Sequence, residues 1–157
     1  MIVELPELIT IVKKLKQEGK RIVFTNGCFD IIHPGHVLYL KRAHEYGDIL
    51  IVGLNSDESV KKIKGDKRPI VPQRERAEVL SSIRFVDYVV IFNEPDPYKT
   101  IEAVRPDVLV KGGDWAVENI IGRDIVESCG GKVYNIPYIE GSSSTNIIEE
   151  ILKRYSV

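Results

Sequence analysis

Asp48-Ile49-Leu50-Ile51-Val52-Gly53-Leu54 is apolar from its second residue to its last, with no alternation of polar and apolar positions. A strand with one wet face alternates, so this one reads as buried on both faces, the pattern of an interior strand in a parallel sheet. Working upstream, residues 21–25 form another short apolar strand, and Val37, Leu38, Leu40 and Ala43 continue a helix that stops at Gly47. Residues 6–18 place Leu8, Ile11, Val12 and Leu15 on one helical face, with Pro6 near the start and Gly19 after the end. Downstream, residues 59–69 read as a charged loop, and Pro72 sits in the first turn of a helix running to about Ser82. A brief β-rich strand at 88–92 precedes a helix at 97–104 and a strand at 107–110, with Arg105-Pro106 forcing the break between the last two. Residues 123–128 are helical up to Gly130-Gly131, 132–136 form a fifth strand, and 145–155 a final amphipathic helix. This alternation predicts right-handed crossovers and an α/β fold: a Rossmann-like, open, parallel five-stranded sheet with helices on both faces. The ligand crevice then lies beyond the C-terminal ends of the strands.

A chain of 157 residues fits one domain, taken as 1–157, with a core that needs neither disulfide nor structural metal. Lys and Arg total 22 against 23 Asp and Glu, a net charge of -1 that argues against a broad surface for nucleic acid or anionic membrane. Cys28 and Cys129 lack the paired spacing of a zinc or redox motif and read as free thiols in a reducing cytoplasm. Glu4 and Pro6 follow the start at once, and the longest apolar run, 88–92, is far too short to span a bilayer. No leader, membrane span, internal repeat or low-complexity linker is predicted.

Thr25-Asn26-Gly27-Cys28-Phe29-Asp30-Ile31-Ile32-His33-Pro34-Gly35-His36 joins a strand to a helix at the crevice edge. A helix N-terminus offers unpaired N–H groups and the positive end of a dipole, Gly35 lets an anion approach the backbone, and His33 and His36 can donate to the same phosphate. Taken alone, His-x-x-His is as often a pair of helix caps, and Gly27, Asp30 and Gly35 tip the reading toward a phosphate-facing turn. His44 reads as a surface residue. The segment 59–69 carries five cations in eleven residues; Lys64, beside Gly65, is the preferred polyphosphate ligand and Lys61 the second, the rest being surface charges. Of Arg74 and Arg76 at most one is expected to face inward. Lys111-Gly112-Gly113-Asp114-Trp115 closes the fourth strand, where two glycines allow a base or ribose against bare backbone and Trp115 either stacks a base or lids the core. Gly141-Ser142-Ser143-Ser144-Thr145-Asn146 brings more hydroxyls to the last helix than capping requires.

On these residues the chain resembles the cytidylyltransferase-like branch of the HIGH-motif nucleotidyltransferases, whose Gly-x-Phe-Asp-x-x-His-x-Gly-His segment matches 27–36 and whose Ser/Thr segment matches 142–145. The likeness runs on through Asn55-Ser56-Asp57, Lys64-Gly65-Asp66, Arg76, 110–114 and Thr145-Asn146-Ile147-Ile148, and looks most like the adenylyltransferase domains of bifunctional ADP-heptose synthases. It implies the HUP-type fold and adenylyl transfer from ATP to a sugar 1-phosphate, D-glycero-D-manno-heptose 1-phosphate, in lipopolysaccharide-core or S-layer sugar synthesis. His33, His36, Lys64 and Lys61 would be catalytic. Asn26, Gly27, Cys28, Phe29, Gly35, Arg76, Lys111, Gly112, Asp114, Ser143, Ser144 and Thr145 would bind nucleotide or phosphate, and Asp30, Asn55 and Trp115 the acceptor. Mg²⁺ would be held through the phosphates, with Asp30 or Asp114 as candidate ligands; a homodimer and a separate sugar kinase supplying the substrate are further implications.

Within the family, Tyr138 replaces the arginine that glycerol-3-phosphate cytidylyltransferases carry before the last helix, which disfavours the glycerol-phosphate reading, and Lys111-Gly112-Gly113-Asp114 favours the heptose one. Arg84-Phe85-Val86-Asp87 cuts the other way, toward a CTP-using enzyme of glycerol 3-phosphate or phosphoethanolamine. A non-catalytic nucleotide-binding module and a flavodoxin-like interaction domain are the competing classes.

Overall fold

A computed structural model describes residues 1–113, 115–137, 141 and 143–156, so the expectations resting on Asp114, Ser142 and Tyr138 fall outside the described residues. Five strands, β1 (Ile22–Gly27), β2 (Ile49–Asn55), β3 (Tyr88–Phe92), β4 (Val108–Gly112) and β5 (Lys132–Ile136), form one sheet in the order β3-β2-β1-β4-β5. Every pairing is parallel, with β1 and β2 in register from Ile22 opposite Ile49 to Gly27 opposite Leu54. The chain winds outward from β1 through β2 to β3, then returns to the other side of β1 for β4 and β5. That reversal opens a crevice above the C-terminal ends of β1 and β4, because the loops leaving those two strands turn away from each other.

Among the described residues the α-helices are α1 (Leu5–Gln17), α2 (Pro34–His44), α3 (Asp57–Lys64), α4 (Gln73–Ser81), α5 (Tyr98–Val104), α6 (Arg123–Ser128) and α7 (Ser144–Tyr155). On one sheet face Leu50, Val52, Leu54, Val108 and Val110 pack with Leu40 of α2 and Leu80 of α4. On the other, Phe24, Ile51 and Leu109 pack with Leu8 and Val12 of α1, Ile101 and Val104 of α5 and Val126 of α6. Strand β2 is thus buried on both faces, which is why its sequence does not alternate.

The charged stretch expected as loop is helical as far as Lys64. Ser56 caps α3 by accepting from the Ser59 N–H (3.2 Å), Asp57 and Glu58 sit at the positive end of the helix dipole, three lysines sit at the negative end, and Gly65 ends it at φ 91°. The end signals for a helix were all in the sequence; what concealed them was the density of charge, which leaves only Val60 and Ile63 as apolar marks of period 3.6. Helix α7 has no buried residue and lies at the crevice rim. No helix among the described residues is long and apolar enough to cross a membrane.

Leu50 is fully buried at the centre of the larger cluster, so Leu50→Ala should cost about 2–5 kcal/mol, read as a lowered urea midpoint at unchanged m-value.

Candidate active site at the β1–α2 turn

Beyond Gly27 the chain folds tightly back on itself. A Cβ at position 27 would lie 2.9 Å from the Phe29 ring, so glycine is what lets that ring pack over the end of β1. Phe29 (φ 46°) and Ile31 (φ 52°) adopt left-handed backbone, a costly conformation for an aromatic and a β-branched residue. The Asp30 side chain between them holds the turn. Its buried carboxylate accepts from Arg68 Nε (2.7 Å) and from the N–H groups of Ile70 (2.8 Å) and Val71 (2.9 Å). Burial alone would raise the Asp30 pKa, but the two backbone N–H groups and Arg68 together outweigh it and hold the carboxyl below its usual range. Ser144, opening α7, donates its hydroxyl to the Asp30 carbonyl and, at 3.4 Å, to the Ile31 carbonyl.

His33 is the N-cap of α2: its Nδ1 accepts from the Gly35 N–H at 3.1 Å, and His36 Nδ1 in turn accepts from the His33 N–H at 3.3 Å. The two rings lie 3.8 Å apart, centre to centre. Burial lowers the His33 pKa; burial, then the nearby His33 and Lys64, push His36 down to about 4 against a smaller opposing effect of Asp30. Both imidazoles are therefore neutral near pH 7, and since each Nδ1 is an acceptor, each carries its hydrogen on Nε2. Capping does not exhaust the rings: the inner nitrogens cap the helix, and the outer ones remain as N–H donors.

Lys61 and Lys64 are exposed and three residues apart, hence on one face of α3, and Lys64 is close enough to His36 to depress its pKa. On the opposite rim a cleft of about 490 Å³ runs between His33-Pro34 and the face of α7 that carries Ser143, Asn146 and Ile147. Ser143 caps α7 by accepting from the Asn146 N–H (2.9 Å), and Thr145 is exposed beside it. The cleft is lined from α2 and α7, where Glu150 and Arg154 stand beside Ser143 and Asn146, and Lys64 of α3 approaches from the side of His36.

Several expected ligands have other tasks. Arg76 does face inward, but its guanidinium is spent within the protein, donating to the carbonyls of Val71 (2.8 Å), Cys28 (2.6 Å) and Asn55 (2.9 Å) and to Asp57 (2.8 Å). It clamps the ends of β1 and β2 to α3 instead of contacting phosphate. Asn55 is buried and donates to Ser59 Oγ (2.9 Å), and the Asp30 oxygens are likewise fully engaged, so neither is open to an acceptor or a metal ion. The Gly35 N–H is turned to His33, and the Ser144 hydroxyl to backbone carbonyls. Gly112 is not bare, because a Cβ there would sit 3.0 Å from the Tyr39 ring, while Trp115 is 51 % exposed and no core lid. Arg68, set aside as a surface charge, holds Asp30. Tyr39, which sequence reasoning passed over, shares a hydrogen with Thr25 Oγ1 (2.5 Å) and donates to the Val110 carbonyl (3.3 Å).

Residues 24–150 match the family model described as cytidylyltransferase-like. The chain belongs to that family. It is 52 % identical over 148 residues to the bifunctional protein HldE of Geobacter sulfurreducens, a match covering 94 % of this chain and 30 % of that one. The chain thus spans just under a third of the length of this relative. Among solved structures it resembles a lipopolysaccharide core biosynthesis protein of Thermoplasma volcanium (TM-score 0.64, 29 % identity, 79 % of this chain and 100 % of that one). It shares its fold with a pantoate-beta-alanine ligase of Francisella tularensis (TM-score 0.64, 17 % identity, 100 % of this chain and 78 % of that one).

The His36 environment sets a pH dependence. Between its ordinary value of 6.5 and about 4, the unfolded chain takes up a proton that the folded chain refuses. Stability therefore falls as pH falls through that window. Urea midpoints at pH 7 and pH 5 should show this loss, and His36→Asn should reduce the difference between them; an equal difference would mean that other groups carry it.

Proposed function

We propose that this chain transfers the adenylyl group of ATP to a sugar 1-phosphate, D-glycero-D-manno-heptose 1-phosphate, giving the ADP-sugar and pyrophosphate. The observation that carries the reading is the pair of neutral imidazoles presenting Nε2–H donors into a crevice flanked by the α3 lysines and the α7 N-terminus. The likeness to HldE along nearly the whole chain supports the heptose acceptor. The Arg84–Asp87 segment, which had pointed to CTP, lies before β3 at the opposite edge of the sheet, where Asp87 accepts from the Leu50 N–H (2.8 Å) and cannot touch a base in the crevice.

The nucleophile is an oxygen of the sugar phosphate, already ionised near neutral pH, so no enzyme base is required. It attacks the α-phosphorus in line, one P–O bond forms as the bond to the β-phosphate oxygen breaks, and the electron pair leaves with pyrophosphate. His33 and His36 donate to oxygens on which charge builds, and being neutral they do so without a proton leaving the enzyme. Lys64, with Lys61 behind it, balances the departing pyrophosphate. Ser143, Ser144 and Thr145 place the α7 N-terminus against the terminal phosphates. Among the described residues the Asp30 oxygens are engaged and no group of three His, Cys, Asp or Glu could hold a metal, while the other candidate ligand, Asp114, lies outside those residues. Mg²⁺ belongs with ATP as the counterion of the triphosphate. The wider setting is a cytoplasmic homodimer fed by a sugar kinase.

Pyrophosphate release from ATP, CTP, GTP and UTP, each with heptose 1-phosphate, glycerol 3-phosphate and phosphoethanolamine, tests the reading; turnover confined to CTP overturns the choice of base. His36→Ala, shown to be folded, should lose roughly a hundredfold to a thousandfold in kcat. Lys64→Ala should chiefly raise the KM for the triphosphate, and unchanged kinetics would return Lys64 to the solvated surface.

A further inference from the structure

Lys111 stands near the end of β4, the strand beside β1 on the side away from α3. Val110 belongs to the core on the α2 face of the sheet and Leu109 to the core on the other face, so alternation puts Lys111 with Leu109, on the side turned away from α2 and α7. Its ammonium is partly buried and makes no ion pair or hydrogen bond among the described residues. Burial pushes its pKa down, against a smaller upward pull from the neighbouring Cys28, the residue just before the strained turn. A lysine normally reaches out to water or a carboxylate; this one is partly withdrawn from water and pairs with no carboxylate among the described residues.

A second unsatisfied group lies next to it. Asn135 is opposite Lys111 in the β4–β5 register, hence on the same face. Its Nδ2 donates to the Trp115 carbonyl, which fixes the amide orientation, and its Oδ1 is buried with no partner among the described residues. A lone cation beside a lone acceptor suits a ligand that carries both an anion and a hydroxyl.

We propose that Lys111 binds the phosphate of the acceptor and holds it for attack, with Asn135 Oδ1 accepting from a hydroxyl of the same ligand. The inference rests on the nucleotidyl-transfer reading and adds to it the place of the nucleophile. In-line displacement requires the attacking and leaving oxygens on opposite sides of the α-phosphorus. The leaving pyrophosphate belongs with the donors of α2 and α7, so the nucleophile must come from the other side, where Lys111 is the cation at hand. Neutralising the acceptor phosphate also removes the repulsion between two anions that must meet.

The test uses Lys111→Met, which keeps an unbranched side chain one atom shorter and loses the charge, and Lys111→Arg, which keeps the charge. Binding of α,β-methylene-ATP is measured by calorimetry, and steady-state kinetics with whichever phosphorylated acceptor turns over best in the matrix above. Lys111→Met should raise the acceptor KM by roughly tenfold to a hundredfold, leave analogue affinity within about threefold of wild type, and be largely rescued by arginine. An acceptor KM within threefold of wild type, or a loss of analogue affinity as large as the rise in KM, overturns the assignment. Absence of turnover by the wild-type protein with every pair in the matrix overturns the nucleotidyl-transfer reading and this inference with it, whereas turnover unaffected by Lys111→Met overturns the inference alone.

Discussion

The buried carboxylate of Asp30 is the point on which the site depends. Three segments far apart in sequence converge at the candidate site: the β1–α2 turn, the lysine helix α3 and the start of α7. Asp30 joins the first two through Arg68, Ile70 and Val71, and its own carbonyl receives the Ser144 hydroxyl from the third. Removing one partner of a buried, hydrogen-bonded pair typically costs about 3–5 kcal/mol, enough to offset the left-handed backbone that Phe29 and Ile31 are forced to adopt on either side. Arg76 doubles the fastening by binding Val71 and Cys28 at once. The acidic and basic residues nearest the crevice thus serve geometry, and the groups left to meet a ligand are neutral imidazoles and exposed lysines.

That division of labour explains how two histidines at a helix start can be caps and donors together. An imidazole has two nitrogens on opposite sides of the ring. Using Nδ1 for the helix fixes the tautomer and aims Nε2–H outward, so the capping contact prepares the donor. The low pKa of His36 belongs to the same design. A charged imidazole would attract phosphate more strongly but would bind substrate and product anions alike, whereas a fixed neutral dipole rewards the charge that develops during transfer.

The fold was legible because it rests on local patterns: uninterrupted apolar strands, glycines and prolines at element ends, and strict alternation of strand and helix. The position of the histidine turn at the strand-to-helix edge was legible too, since Gly27, Asp30, His33, Gly35 and His36 lie within ten residues. The assignment of α3 as loop failed where charge hid a short amphipathic pattern, even though its cap and dipole signals were present. The roles of Asp30, Asn55, Arg68 and Arg76 were not legible. Each is a polar residue whose spacing fits ligand contact, and only its partners, up to 48 residues away in the case of Arg76 and Cys28, show that its hydrogen bonds are already made.

Sequence by itself determined the parallel α/β architecture, the placement of the histidine turn at the C-terminal edge of the sheet and the membership of the family, because each depends on contacts or motifs within a few residues. Tertiary structure alone decided which polar groups remain free. Burial and pairing consumed Asp30, Asn55, Arg68 and Arg76, covered Gly112 with Tyr39, and left Lys111 and Asn135 Oδ1 without partners among the described residues. The reason is that hydrogen-bonding capacity is a property of the residue, whereas its satisfaction depends on neighbours that only folding brings together.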